Sequence, residues 1–227
     1  MIAHRGVSGM ALENSLPAFE LAGQKSYYGI ETDVHVTKDG KYIIFHDDNL
    51  QRIVGLDMVI EETEYDTLRA LRFKDVYGDG EEENSFLPSL DEYLDVCKKY
   101  DKQAILELKN QMLPKDVLGI AETVKNSGWF DRTTFISFSG ENLVEIRKVY
   151  PTADVQYLLS EVTEADIQFV LENHFDVDLY WGQVKKKLVE RLHNVGVKVN
   201  CWTVDSKDCA RWMKNRGVDF ITSNILE

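Results

Sequence analysis

The segment GIETDVHV, residues 29–36, carries two carboxylates in a pattern that is otherwise typical of a buried β-strand. Glu31 and Asp33 are two residues apart, so a strand presents both side chains on the same face. Two interpretations are open for this pair taken alone. The carboxylates lie at a strand end, where they reach solvent or pair with basic residues, or they bind a divalent cation that neutralises their mutual repulsion.

Further clusters of reactive side chains follow other strand-like segments of the chain. They are His4 and Arg5 in IAHRG, His46 and Asp47 in YIIFHDD, and Glu107 and Lys109 in AILELKN. If these strands are neighbours in a parallel barrel, all the clusters converge on one rim. Glu31, Asp33 and Glu107 would then offer three anionic oxygens, a set that suits Mg²⁺ or Ca²⁺ and suits zinc poorly.

The histidines and basic residues of these clusters fit phosphoryl transfer to water. His4 and His46 can form an acid–base pair, because the unperturbed pKa of histidine is about 6.5. Arg5 and Lys109, with a bound cation, form the local positive centre that an acidic protein needs to hold a phosphate. The sequence has no GxSxG motif, no Walker loop and no GxGxxG after a strand, so hydrolytic chemistry would depend on the metal and the histidines.

Short apolar runs alternate with longer amphipathic runs along the chain, as they do in successive βα units. The predicted strands are residues 2–4, 29–36, 104–109, 134–137, 154–158, 178–181, 198–203 and 219–223, and the predicted helices are 16–24, 90–100, 115–126, 141–150, 164–173, 185–194 and 207–216. This pattern predicts a (β/α)₈ TIM barrel over residues 1–227 as a single domain, with a short or missing eighth helix. An insertion at about residues 37–88 follows the second strand and is expected to overhang the catalytic face.

Composition narrows the class of protein further. The formal net charge is −13, which argues against nucleic acid and anionic membrane surfaces as partners. Cys97, Cys201 and Cys209 form no CxxC pair, and we expect free thiols in a reducing cytoplasm. No apolar run approaches the length of a membrane span. The oligomeric state stays open.

The blocks HRG, ENSLPAF, GIETDVHVTKDGKYIIFHD, LPSLDEYL, LELKN, SFSGENL, VNCWTVD and GVDFITSN resemble, in the same order, the motifs of the glycerophosphodiester phosphodiesterase family. HRG alone is a weak signal, whereas HRG with ExD, HD and ExK at these spacings is specific. The chain departs from the family after His46, where LQRIVGLDMVIEETEYDTL stands in place of a Thr-rich, glycine-containing run. That segment would form part of the substrate pocket, so the leaving-group specificity stays open.

The resemblance implies a TIM barrel with a small insertion after the second strand. It implies roles for eight side chains: general acid and base for His4 and His46, ligands of one Mg²⁺ or Ca²⁺ for Glu31, Asp33 and Glu107, and substrate contacts for Arg5, Lys109 and Trp202. The implied reaction is hydrolysis of a glycerophosphodiester, such as glycerophosphocholine or glycerophosphoethanolamine, to glycerol 3-phosphate and an alcohol.

Two alternatives accompany this hypothesis. A related lipid-directed phosphodiesterase, of the lysophospholipase D type, would use the same catalytic residues. Such an enzyme is expected to carry apolar or basic loops toward a membrane, whereas the insertion contains the acidic segment GDGEEENS. A non-catalytic phosphate-binding barrel is the other alternative, and the complete set of histidines and carboxylates argues against it.

Overall fold

The computed structural model describes residues 1–73 and 86–227, and its strands form a parallel barrel. The strands are β1 (Ile2–Ala3), β2 (Gly29–Val36), β3 (Tyr42–Ile44), β4 (Gln103–Leu108), β5 (Thr133–Ser137), β6 (Asp154–Leu159), β7 (Asp176–Tyr180), β8 (Val199–Trp202) and β9 (Thr222–Ser223). Eight of them lie side by side in the order β8–β7–β6–β5–β4–β2–β1–β9. The Cys201 amide donates to the Phe220 carbonyl over 3.2 Å, which brings the two ends of this order together. The prediction of a TIM barrel is confirmed.

Helices connect consecutive barrel strands. They are α1 (Leu16–Gly23), α2 (Tyr65–Ala70), α3 (Leu90–Lys99), α4 (Pro114–Asn126), α5 (Gly140–Val149), α6 (Glu164–Asn173), α7 (Lys186–His193) and α8 (Lys207–Arg216). Local sequence sets several of their ends: Ser89 and Glu92 form a capping box at the start of α3, and Gly217 ends α8 with a φ of 89°. Residues 224–227, which follow β9, form no helix. Within the described part of the chain, no helix is both long and apolar enough to cross a membrane.

The boundaries of β7 differ from the predicted strand at residues 178–181. The strand begins earlier, at Asp176, whose carboxylate accepts a hydrogen bond from the Lys198 amide over 2.7 Å. This hydrogen bond satisfies the carboxylate of a polar residue at the start of the strand. Trp181 lies beyond the strand, in a 3₁₀ turn over Trp181–Gln183.

The segment between β2 and α3 folds back onto the barrel. β3 pairs antiparallel with the end of β2, with Val34 opposite Ile44, and the Phe45 amide donates to the Asp33 carbonyl over 3.1 Å. An apolar cluster supports this segment and consists of Ile43, Phe45, Leu50, Val54, Ile60, Leu68, Phe73 and Leu87. The acidic stretch GDGEEENS, residues 78–85, lies outside the described residues.

A packed apolar layer fills the barrel interior. It consists of Ile2, Ile105, Ile136 and Leu158, against which Trp202 and Phe220 pack. Side chains two positions further along several of these strands point to the same interior, nearer the carboxyl ends. The layer therefore lies directly beneath His4, which follows β1, and Glu107, which lies on β4.

Candidate active site

Three carboxylates meet near the carboxyl ends of β2 and β4. Asp33 lies opposite Glu107 in the parallel register, and Glu31 precedes Asp33 on the same face. Oxygen atoms of Glu31, Asp33 and Glu107 all lie within 4.8 Å of one another. The residues are buried, with exposed fractions of 3%, 1% and 7%. A buried set of anionic oxygens at this spacing fits a hard divalent cation such as Mg²⁺ or Ca²⁺.

The loop after β1 supplies hydrogen-bond donors to these carboxylates. The Arg5 amide donates to Glu31 Oε2 over 2.7 Å, and Asn14 Nδ2 donates to Asp33 Oδ2 over 2.8 Å. Thr32 Oγ1 in turn donates to Asn14 Oδ1 over 2.8 Å, which orients the amide. Arg5 and Asn14 both adopt left-handed backbone, with φ values of 48° and 52°. Asn14 therefore fixes the position of the Asp33 carboxylate by a direct hydrogen bond.

Two basic side chains lie against the same carboxylates. Lys109 Nζ lies 2.8 Å from Glu107 Oε1 and 3.4 Å from Asp33 Oδ1. Arg5 Nε lies 3.7 Å from Asp33 Oδ2. The positive charge on these side chains partly offsets the crowding of anions in the interior.

The pKa values of the three carboxyls diverge because their surroundings differ. Burial raises the pKa of Asp33, but the opposing charges of Lys109 and Arg5 outweigh burial and hold it below its usual range. Burial and the neighbouring charge of Asp33 raise the pKa of Glu107 to about 7. Burial, then Asp33 and Glu107, raise the pKa of Glu31 well above its usual range. Ionisation of all three carboxyls at this distance is unfavourable because the anions repel one another. A divalent cation would supply the positive charge that offsets this repulsion.

His4 follows β1 and is oriented by a side chain from the end of the barrel. Its Nδ1 lies 2.7 Å from Asn224 Oδ1, and Asn224 Nδ2 donates to Asp205 Oδ2 over 2.6 Å. This network assigns the Nδ1 proton to His4 and leaves Nε2 free, 3.9 Å from Glu31 Oε2. Burial, with a smaller effect of Arg5, lowers the pKa of His4 to about 4.

His46 lies on the loop after β3 and is oriented by Asp47. His46 Nδ1 is 2.7 Å from Asp47 Oδ1, so the carboxylate accepts a hydrogen bond from Nδ1–H, and Nε2 has no partner among the described residues. Burial lowers the pKa of His46. The charge of Asp33 raises it, and the charges of Lys109 and Arg5 lower it further.

Arg52 connects the supports of His46 and Arg5. Arg52 Nε donates to Asp47 Oδ2 over 2.6 Å, and its terminal nitrogens donate to both oxygens of Glu13 over 2.8 and 2.6 Å. Glu13 Oε1 also accepts from Arg5 Nη1 over 2.9 Å. This chain of ion pairs ties the insertion to the loop after β1.

A cavity of about 190 Å³ opens over the acidic cluster. Its walls are formed by residues from both sides of the barrel: His4, Arg5, Glu31, His46, Glu107, Ile136, Phe138, Leu158, Asp178, Trp202 and Thr222. Trp202 packs edge-on against Phe138, with ring centroids 5.7 Å apart. Lys109 faces the carboxylates of Glu107 and Asp33 behind this wall. The structure thus brings together every predicted site residue, with Lys109 and Asp33 in the layer behind the cavity.

Sequence reasoning missed several side chains of this site. Asn224 carried a usable signal, because it follows the last strand inside the GVDFITSN block, at the end of the barrel where βα loops converge. Asp178 carried a weaker signal, because the alternation of side chains along the strand is the only sequence pattern that indicates whether it faces the barrel interior. Arg52 carried none, because its position in the insertion follows no strand or helix period.

The fold and the site define a TIM barrel whose strand ends carry a carboxylate cluster flanked by two histidines. The chain belongs to the glycerophosphoryl diester phosphodiesterase family, whose sequence model matches residues 4–226. The resemblance of the sequence motifs to this family is therefore confirmed.

Relatives of similar length show the same relationship. A protein of Caldanaerobacter subterraneus subsp. tengcongensis named glycerophosphodiester phosphodiesterase is 26% identical, with 100% of this chain and 94% of the relative covered. A solved phosphodiesterase of Oleispira antarctica, in complex with the product sn-glycerol-3-phosphate, superposes with a TM-score of 0.91 at 28% identity, covering 98% and 92% of the two chains. A solved glycerophosphodiester phosphodiesterase of Parabacteroides distasonis superposes with a TM-score of 0.82 at 30% identity, covering 98% and 91%.

Proposed function

We propose that this protein hydrolyses glycerophosphodiesters to glycerol 3-phosphate and an alcohol, with one bound Mg²⁺ or Ca²⁺. The observation that carries the proposal is the convergence of His4, His46, Glu31 and Glu107 on one cavity in a chain of this family. The relative from Oleispira antarctica was solved with glycerol 3-phosphate, which supports the same product here.

The three carboxylates are the proposed cation ligands. Glu31, Asp33 and Glu107 offer oxygens within 4.8 Å of one another, which fits a single ion. When bound there, the cation supplies Lewis-acid chemistry, polarising a phosphate oxygen and lowering the pKa of a nearby hydroxyl. Arg5, on the cavity wall, and Lys109, behind it, add the positive charge that attracts a phosphodiester into a protein of net charge −13.

The two histidines are the proposed proton carriers. Each histidine holds its Nδ1 proton toward a fixed acceptor, Asn224 for His4 and Asp47 for His46. Nε2 of each ring is therefore free to exchange a proton with the substrate. One histidine, unprotonated at Nε2, accepts the proton of the attacking oxygen, and the other, which must enter the step protonated at Nε2, gives that proton to the oxygen of the leaving alcohol. Trp202 packs the leaving group or the glycerol against the cavity wall.

The experiment that tests this function is the release of glycerol 3-phosphate from glycerophosphocholine. The protein is stripped with EDTA and assayed again after Mg²⁺ or Ca²⁺ is restored. We expect release to stop on stripping and to return with a cation. A variant with both His4→Ala and His46→Ala, purified in parallel, measures contaminating phosphodiesterase. No release with either cation, from protein with native circular dichroism, contradicts the proposal.

Two further outcomes of the same assay would redirect the function. Faster turnover of lysophosphatidylcholine than of glycerophosphocholine would indicate a lipid-directed phosphodiesterase. Binding of glycerophosphocholine without turnover of either compound would indicate a phosphate-binding barrel.

We also propose that residues 1–227 act as one domain on a small molecule in the cytoplasm. Cys97, Cys201 and Cys209 are free, which fits a reducing compartment. The net charge of −13 disfavours nucleic acid and anionic lipid surfaces as partners. Cell fractionation with an antibody to the protein tests the location, and recovery in the membrane or secreted fraction contradicts it.

A further inference from the structure

Asp178 is a buried acidic residue on β7 that the mechanism above does not use. Its exposed fraction is 2%, and it lines the same cavity as His4 and Glu107. Asp178 Oδ1 is buried and has no hydrogen-bond partner within residues 1–73 and 86–227. Buried carboxyl oxygens are nearly always paired, so an unpaired one in the wall of a substrate cavity points to a partner that binds there.

The neighbours of Asp178 do not satisfy this carboxyl. In the sheet register, Asp178 lies between Leu158 on β6 and Asn200 on β8. Leu158 is apolar, and the Asn200 amide nitrogen is directed to Thr222 Oγ1 at 3.1 Å and Gln156 Oε1 at 3.5 Å. The residues whose oxygens cluster tightly enough to bind a metal are Glu31, Asp33 and Glu107, and Asp178 is not among them in the part of the chain described. Oδ1 of Asp178 therefore has no hydrogen bond from the described side chains, and Asp178 does not belong to the carboxylate cluster.

A hydroxyl group of a ligand suits the carboxyl of Asp178 as a hydrogen-bond partner. Burial raises the pKa of Asp178 well above its usual range, the charge of Glu107 adds to the effect, and hydrogen bonding by the neighbouring Asn200 side chain lowers the pKa without reversing the shift. In either protonation state a buried carboxyl oxygen accepts a hydrogen bond from a hydroxyl group. An ammonium group pairs most strongly with an ionised carboxylate, which burial at this site disfavours.

The depth of Asp178 indicates which part of a phosphodiester reaches it. Phe138, which lines the cavity, and Tyr180, which packs against Trp202, are 46% and 37% exposed, whereas Asp178 is 2% exposed. The variable alcohol suits the open mouth, and the constant glycerol suits a fixed group inside. We propose that Asp178 binds a hydroxyl of the glycerol moiety and so selects glycerol phosphates over phosphates without hydroxyls. This inference rests on the proposed function, because it takes the phosphate of the same substrate to lie beside the carboxylate cluster.

The test compares the binding of glycerol 3-phosphate and of propyl phosphate, which lacks both hydroxyls, by calorimetry at saturating Mg²⁺. The wild-type protein is expected to prefer glycerol 3-phosphate. Asp178→Leu is expected to reduce that preference about tenfold while it leaves the affinity for propyl phosphate unchanged. Asp178→Asn keeps a donor and an acceptor at the same place and is expected to retain most of the preference. Asp178→Ala replaces the leucine variant if the latter does not fold.

A matched control comes from the other end of the same strand. Asp176→Leu makes the same chemical change at a carboxylate that lines a separate small pocket with Tyr28 and Phe220. The control is expected to keep the full preference for glycerol 3-phosphate. Loss of the preference in this variant as well would attribute the effect to damage of β7 and overturn the inference.

Thermal melting without ligand separates binding from a structural role. Because an unpaired buried carboxyl destabilises the folded protein, Asp178→Leu is expected to melt at or above the wild-type temperature. A lower melting temperature, or a preference unchanged in Asp178→Leu, would overturn the inference. Equal binding of both compounds by the wild type would overturn the inference alone, whereas binding of neither compound would contradict the proposed function.

Discussion

Glu31 and Asp33 lie in a buried strand because donors and positive charges surround them on several sides. The Arg5 amide and the Asn14 side chain donate to them over 2.7 and 2.8 Å, and Lys109 lies 3.4 Å from Asp33. Even so, burial and, to a smaller extent, the neighbouring carboxyls raise the pKa values of Glu31 and Glu107. At the scale of single residues, a divalent cation would offset the repulsion among these carboxylates.

Glu31→Gln is expected to weaken the binding of Mg²⁺ or Ca²⁺ by at least about tenfold, because it removes one anionic ligand. A calorimetric titration of the stripped protein measures this change. Glu190→Gln, on the exposed face of α7, makes the same substitution outside the site and is expected to bind metal as the wild type does. A titration curve of Glu31→Gln identical to that of the wild type would remove Glu31 from the ligand set.

His46→Ala is expected to lower the rate of glycerophosphocholine hydrolysis at least about 10²-fold, because it removes one of the two proposed proton carriers. Initial rates at saturating substrate and cation measure the loss. His193→Ala is the control, since His193 pairs with Asp219 at the surface over 2.9 Å, away from the cavity. Near wild-type activity of the His46 variant, with the same melting temperature, would exclude His46 from the mechanism.

The segment between β2 and α3 acts as an element that supports the site from above. Its apolar cluster anchors it to the barrel, and β3 delivers His46 to the cavity wall. Arg52 binds Asp47 and Glu13 together, and these carboxylates orient His46 and Arg5 respectively. The described part of the insertion therefore positions residues of the site.

Arg52→Ala is expected to lower kcat about ten- to hundredfold, because His46 and Arg5 lose the common tether that fixes their geometry. The melting temperature is expected to change little, since ion pairs that are partly exposed to solvent contribute little stability. Arg72→Ala, in the same insertion and exposed to solvent, is the control. If kcat of the Arg52 variant equals that of the control, the tether has no part in positioning the histidine.

At the scale of the whole molecule, barrel closure brings the two ends of the chain together at the site. The Ile2 amide donates to the Ile221 carbonyl over 2.8 Å and the His4 amide to the Ser223 carbonyl over 2.9 Å. Beneath them, the interior layer of Ile2, Ile105, Ile136 and Leu158 prevents the walls from collapsing inward. The same packing that stabilises the fold therefore sets the distances between site residues.

Ile105→Ala is expected to reduce the free energy of unfolding by about 2–5 kcal/mol, because the deleted atoms leave a cavity in the closed layer. Urea denaturation followed by circular dichroism measures the loss. Val195→Ala, at a position 57% exposed, is expected to change stability by less than about 0.5 kcal/mol. Equal stability of the two variants would show that the interior layer does not carry the fold.

Much of this protein could be predicted from local sequence patterns. The alternation of apolar and amphipathic runs predicted the barrel, because strand and helix periods are properties of neighbouring residues. Strand parity placed Glu31 with Asp33, and the positions of the motifs after strands placed His4 and Glu107 at the same rim. The predicted start of β7 was wrong because a polar residue, Asp176, accepts a hydrogen bond there from the amide of Lys198, the residue before β8.

What only the tertiary structure decided are the contacts between residues far apart in the chain. His4 is oriented by Asn224, 220 positions away, and Arg52 reaches Glu13 across 39 positions. No period or spacing encodes such pairs, since they exist only after the barrel closes and the insertion folds onto it. The sequence by itself determined the types of side chain at the rim. Barrel closure decided which of them touch, and left the carboxyl of Asp178 buried in the cavity wall.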